Sequence, residues 1–118
     1  MITADDIDAF MNQYDDGFND YQVKARKFAV YDSKFKIVYP TLGLAGEAGE
    51  VSDKIKKWLR DGVVDKEELA KELGDVLWYV AILADDLGYA LSDVAQMNID
   101  KLTKRKKNGK IRGSGDNR

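Results

Sequence analysis

A single proline, Pro40, punctuates the chain, and the apolar residues on either side of it follow helical spacing. Before it, Ile7, Phe10, Met11, Tyr14, Phe18, Tyr21 and Ala25 recur at intervals of three and four. That is the period of one helix face. It predicts a mostly helical stretch from Asp5 to about Tyr31, with a break or a fresh start at Gly17. Ser33 to Tyr39, SKFKIVY, alternates loosely and reads as extended, and the proline that follows disfavours helix at Tyr39.

Beyond Pro40 three more helices are legible. Thr41 reads as the N-cap of a helix to about Leu59, with an apolar stripe of Leu42, Ala45, Val51, Ile55, Trp58 and Leu59, and Arg60-Asp61-Gly62 ends it. Asp65, with Glu68 three residues later, caps a helix from about Lys66 to Leu87. It is the most apolar, and Leu69, Leu73, Val76, Leu77, Val80, Leu83, Ala84 and Leu87 are expected to pack inward. Gly88 stops it. The last helix opens at Leu91 or Ser92, runs through Met97 and Leu102, and turns basic at Lys104–Lys107, where cations suit the helix dipole. Short connections imply antiparallel neighbours, hence an all-α, four-helix bundle in one domain, 1–118, with 108–118 as a polar tail.

Composition narrows the chemistry. The chain has no cysteine and no histidine. That excludes disulfides, thiolate metal sites, imidazole bases and histidine-ligated zinc. Hydrolysis must therefore rest on carboxylates, lysines or tyrosines. A net charge of -2 provides no large basic field for nucleic acid. The start MITADDIDAF has neither the basic opening nor the apolar run of a secretory leader, and no stretch is long and apolar enough to span a membrane. A cytoplasmic location is expected.

Two acidic pairs carry the functional reading. Glu47 and Glu50 stand three apart, as do Glu72 and Asp75. Helix positions three apart differ by roughly 60° about the axis, so each pair shares a face. If the two helices lie side by side, four carboxylates converge and repel unless a cation compensates. Hard oxygen ligands suit magnesium or manganese, and magnesium commonly works with substrate phosphates. A solvated acidic face is the alternative, but the second pair runs straight into the apolar DVLWYVAIL. Gly43, Gly46, Gly49 and Gly74 each cost a helix about 1 kcal/mol against alanine. Their expected role is to leave room where helices, metal and phosphates meet.

Taken together, LGLAGEAGEV, KELGDVLWYVAILADDLG and NIDKLTKRK resemble the MazG-like nucleotide pyrophosphohydrolases of the all-α NTP pyrophosphatase superfamily. The likeness covers about Tyr21 to Arg118. The family pattern, ExxE, a spacer and ExxD, is matched by Glu47, Glu50, Glu72 and Asp75. The resemblance implies hydrolysis of a nucleoside triphosphate to the monophosphate and pyrophosphate. It implies Mg2+, replaceable by Mn2+, on the four acids, with water attacking the α-phosphorus and Glu50 as general base.

It also places Asn98, Lys101 and Arg105 at the nucleotide site, where they would otherwise read as a solvated stripe. Lys54 and Lys57 are either phosphate contacts or i,i+4 partners of Glu50 and Asp53. Tyr79 and Trp58 are candidates for stacking on the base, with Trp58 otherwise packing a helix end and Trp78 in the core. Gln22 resembles a position near the nucleotide. Asp53, Asp85 and Asp86 are expected to face solvent. The GSGD stretch is expected either to fold over nucleotide or partner, or to fray. Relatives imply a homo-oligomer, tetramer or dimer. Two alternatives stay open: dUTP or phosphoribosyl-ATP as substrate, and a nucleotide-binding or regulatory helical module without turnover.

Overall fold

The computed structural model describes residues 1–6 and 17–117. The periodic stretch from Ile7 to Tyr14 lies outside the described residues. Those described form helices α1 (Gly17–Arg26), α2 (Val38–Asp61), α3 (Lys66–Asp86) and α4 (Leu91–Lys107), with one 3-10 turn at Ser33–Phe35. No strand occurs among them, so the all-α expectation holds. Among them, no helix is long and apolar enough to cross a membrane.

The best-anticipated boundaries are those set by local chemistry. Asp65 accepts from the N–H groups of Glu67 and Glu68 at 3.0 and 3.2 Å, so it caps α3 as expected. Gly62 and Gly88 take φ of +76° and +84°, left-handed backbone that glycine adopts without strain, and the chain leaves α2 and α3 there.

The approach to α2 departs from expectation. Ser33–Tyr39 is not extended: it contains the 3-10 turn and the first residues of α2. Nor is Thr41 the cap, since α2 already begins at Val38. Pro40 thus lies in the first turn, where N–H groups have no intrahelical partner and a missing donor costs nothing. Two features hold this entry. The Asp32 side chain accepts from Lys34 N at 3.0 Å, which starts the 3-10 turn. Ile37 takes φ +68°, and its N–H donates to Asp86 at 2.9 Å. A left-handed β-branched residue is strained, and this long-range bond helps fix it.

Asp86 is accordingly not a solvent-facing residue. Its side chain is fully buried and accepts from Arg26 at 2.8 Å and from the Tyr31 hydroxyl at 2.6 Å, besides Ile37 N. Burial raises its carboxyl, but Tyr31, Ile37 N–H and Arg26 together hold it below the usual carboxylate range. Asp85 stays exposed and pairs with Arg26 at 3.3 Å.

Helix α3 is the hub, packing against α1, α2 and α4. Small residues permit this: Ala81 and Ala84 are buried with Ile82, and they meet Ala25 of α1 and Leu91 of α4 in the core. Gln22 is a bolt through it. Its Nε2 donates to the carbonyls of Ala81 and Tyr89, both at 3.1 Å, and its Oε1 accepts from Leu91 N at 3.0 Å. Engaged by backbone on both its amide nitrogen and its oxygen, Gln22 joins α1 to α3 and α4. Trp78 is half-buried, and its indole N–H donates to Ala25 O at 3.1 Å.

The core is smaller than the sequence suggests. Leu73 and Leu77 of α3, and Leu87 just beyond it, were expected inside but are exposed, as are Leu42, Trp58 and Leu59 of α2. The reason is geometric. Among the described residues helix α2 packs chiefly on α3, so its other faces find no comparable cover there. The accessible area is 9211 Å², against about 6,400 Å² for a compact chain of this mass.

Candidate metal centre

The acids meet where α2 lies against α3. Gly43 contacts Tyr79, while Glu47 meets Glu72 and Asp75, so the two helices run antiparallel. Glu47, Glu72 and Asp75 each offer a carboxylate oxygen, and these atoms lie within 4.8 Å of one another. Glu47 and Glu72 are half-buried and Asp75 is exposed. Glu50, one turn further along α2, is exposed and stands outside this triad.

Among the described residues no cation pairs with the triad. The Glu47 carboxyl is raised above its ordinary range, first by burial, then by the charges of Asp75, Glu72 and Glu50 and a hydrogen bond with Glu72. Crowded carboxylates of this kind favour protonation unless a cation joins them. The donor set is all oxygen, without nitrogen or sulfur, and so fits a hard divalent ion.

Tyrosines wall the centre. A β-carbon at Gly43 would overlap the Tyr79 ring, so glycine there is what lets Tyr79 lie on α2. At Gly46, Gly49 and Gly74 an added β-carbon meets nothing within 4 Å among the described residues, so there the steric reason expected for all four glycines applies to Gly43. Tyr79 is braced edge-on by Trp78, with ring centres 4.9 Å apart, and tilted against Tyr39 at 6.5 Å. Its phenol is raised by burial, then by Tyr39, Glu47 and Asp75. Tyr21 of α1 is raised likewise, by burial and then by Asp75. Tyr21 and Tyr39 were not singled out from sequence for this site. Tyr21 sits on the apolar face of α1, which reads as core, and Tyr39 sits in a segment that reads as extended.

The remaining site residues lie in two further places. On α2, Asp53 is paired with Lys57 at 2.8 Å and with Lys56 at 3.3 Å, which matches the solvated-face reading for Lys57. Lys54 is half-buried and Trp58 exposed. On α4, Asn98 and Lys101 line a cleft of about 470 Å³ together with Leu87, Tyr89, Val94 and Met97. Lys101 and the buried Arg105 line a neighbouring cleft of about 320 Å³ with Asp100, Lys104, Asp116 and Asn117.

Residues 40–110, which carry both arms of the triad and these α4 side chains, match the MazG nucleotide pyrophosphohydrolase domain. The chain belongs to this family. Two relatives of the MazG domain described here are similar over long stretches. Gene 37 protein of Mycobacterium phage L5 is 50% identical over 109 residues, covering 83% of this chain and 96% of that protein. The protein named Uncharacterized protein YvdC, from Bacillus subtilis (strain 168), is 40% identical over 72 residues, covering 52% of this chain and 68% of its own length. No solved structure matches the chain significantly.

Proposed function

We propose that this MazG domain is a nucleoside triphosphate pyrophosphohydrolase, releasing pyrophosphate and the monophosphate. The observation that carries the reading is the triad of Glu47, Glu72 and Asp75, paired with no cation among the described residues, inside the segment that matches the family. These three carboxylates would hold Mg2+, for which Mn2+ would substitute, and the ion when bound would supply charge neutralisation of the triphosphate, a more acidic water and stabilisation of the leaving group.

The chain's own residues do the rest. Glu50, exposed beside the triad, is the general base and a further ligand. It takes a proton from water as the water oxygen bonds to the α-phosphorus. The bond from that phosphorus to the α–β bridging oxygen breaks, and pyrophosphate leaves with that oxygen. Lys54, Lys57, Asn98, Lys101 and Arg105 contact phosphate or sugar, and Tyr79 and Trp58 bound the base. Lys57 must leave Asp53 to do so. The exposed apolar side chains of α2 and α3 support a homo-oligomer, dimer or tetramer.

One feature favours a second reading, a nucleotide-binding module without turnover: Glu50 lies outside the triad. The test is pyrophosphate release from a panel of NTPs and dNTPs, with dUTP and phosphoribosyl-ATP included. It compares Mg2+ with EDTA, and wild type with Glu50→Gln. Metal-dependent release that the substitution abolishes establishes the enzyme and names its substrate. Nucleotide binding without release establishes the binder.

A further inference from the structure

The segment after α4 turns back on the helix it leaves. Lys110 N donates to Arg105 O at 2.7 Å, and Gly109 and Gly115 take φ of +65° and +83°, which residues with a β-carbon rarely adopt. The reversal brings Asp116 Oδ1 to 3.3 Å from Lys101 Nζ and 3.5 Å from Arg105 Nη2. The same Nη2 donates to the carbonyls of Gly115 and Asp116 at 3.2 and 3.1 Å.

This match is one-sided. The Arg105 side chain is 7% exposed and that of Asp116 is 85% exposed. A guanidinium offers five donors, yet the contacts just described all fall on Nη2, and the buried Nε has no partner among the described residues. Leaving a buried cation partly satisfied is costly. An ion pair with so exposed a carboxylate is worth only about 0–1 kcal/mol. A phosphate group carries more acceptor oxygens than a carboxylate and satisfies a guanidinium in a bidentate manner. Asp116 and Asn117 themselves form part of the lining of the cleft around Lys101 and Arg105, so the segment stands where a phosphate would meet both cations.

We propose that residues 109–117 form a self-inhibiting latch, in which Asp116 occupies on Lys101 and Arg105 the position that a phosphate group of a polyphosphate ligand takes. The inference rests on the reading of Lys101 and Arg105 as phosphate contacts and adds the regulation of that contact. Lys101 first, and then Arg105, hold the Asp116 carboxyl below its ordinary range, so the competitor is charged at neutral pH. Ligand and latch exclude each other, and phosphate entry frees the glycine-hinged segment.

The test is calorimetric binding of inorganic tripolyphosphate to the full chain in EDTA, which removes any contribution from metal at the triad. Asp116→Asn keeps the backbone contacts and removes the charge. It should bind tripolyphosphate about two- to fivefold more tightly than wild type, the release of one exposed ion pair. Lys101→Ala should bind more weakly, and amide exchange at 113–117 should accelerate on adding ligand to wild type. Unchanged or weaker binding by Asp116→Asn, with weakened Lys101→Ala, overturns the latch and leaves the phosphate contact standing. Unchanged binding by both variants overturns the phosphate contact and the latch together.

Discussion

Helix α3 carries two carboxylate sites that differ in an instructive way. Near its C-terminus Asp86 is fully buried, yet three donors surround it. Nearer its N-terminus Glu72 and Asp75 are more accessible, yet they face Glu47 and one another. Burial therefore does not mark the acid available for chemistry. The two sites differ in compensation: Asp86 has its donors, whereas no ion pair is made by Glu47, Glu72 or Asp75 among the described residues, which is why the proposed chemistry is placed there.

The comparison breaks first at Asp86. Asp86→Ala leaves Ile37 N–H and the Tyr31 hydroxyl without their acceptor and takes from Arg26 its buried partner, leaving it Asp85, and should cost about 3 kcal/mol in urea unfolding. Glu72→Gln, which relieves repulsion, should leave the metal-free unfolding midpoint unchanged or raised. An Asp86 variant as stable as wild type would remove the distinction between the two sites.

Magnesium sharpens it next. An ion that binds only the folded triad stabilises by about 2.7 kcal/mol at a hundred times its dissociation constant. Thermal melts should rise with Mg2+ in wild type, and in the Asp86 variant if it is folded, but not in Glu72→Gln. A tighter probe is steric. Gly43→Ala drives a β-carbon into the Tyr79 ring and should cost about 1–3 kcal/mol. Gly49→Ala, in open space on the same helix, should gain about 0.5–1 kcal/mol in the isolated chain. A loss at Gly49 instead would locate the contact with a second copy.

The smallest effect is in pH. Asp86 has a depressed carboxyl, so its contribution is complete above the unfolded value and is lost as pH falls through the folded one. Glu47 has a raised carboxyl, so its contribution is present at low pH and is lost as pH rises through the folded value. Metal-free stability should thus show opposing slopes in the acid range. Asp86→Asn should flatten the acid-side loss and Glu47→Gln the other.

These contrasts also explain what could be read from sequence. The Asp65 cap and the Gly62 and Gly88 stops depend on neighbours a few residues away, and they were legible. The meeting of Glu47 with Glu72 and Asp75 was legible only on the condition that the two helices lie side by side, and Glu50, expected with them, stands outside the triad. The burial of Asp86 was not legible, since its partners Arg26, Tyr31 and Ile37 are remote in the chain. The α2 start failed for the same reason: Pro40 signals a break, and a distant carboxylate decides where the helix begins. The exposed leucines of α2 and α3 have the right period for a core. Periodicity tells which residues share a face, without telling which molecule covers it.

The α2–α3 turn has a consequence for the order of folding. Contacts close in sequence form fastest, and the triad is closed across Gly62–Asp65, whereas Gln22 and Arg26 must find residues far along the chain. The triad therefore belongs to a hairpin of local contacts, whereas the docking of α1, which sets Tyr21 beside it, closes a far longer stretch of chain.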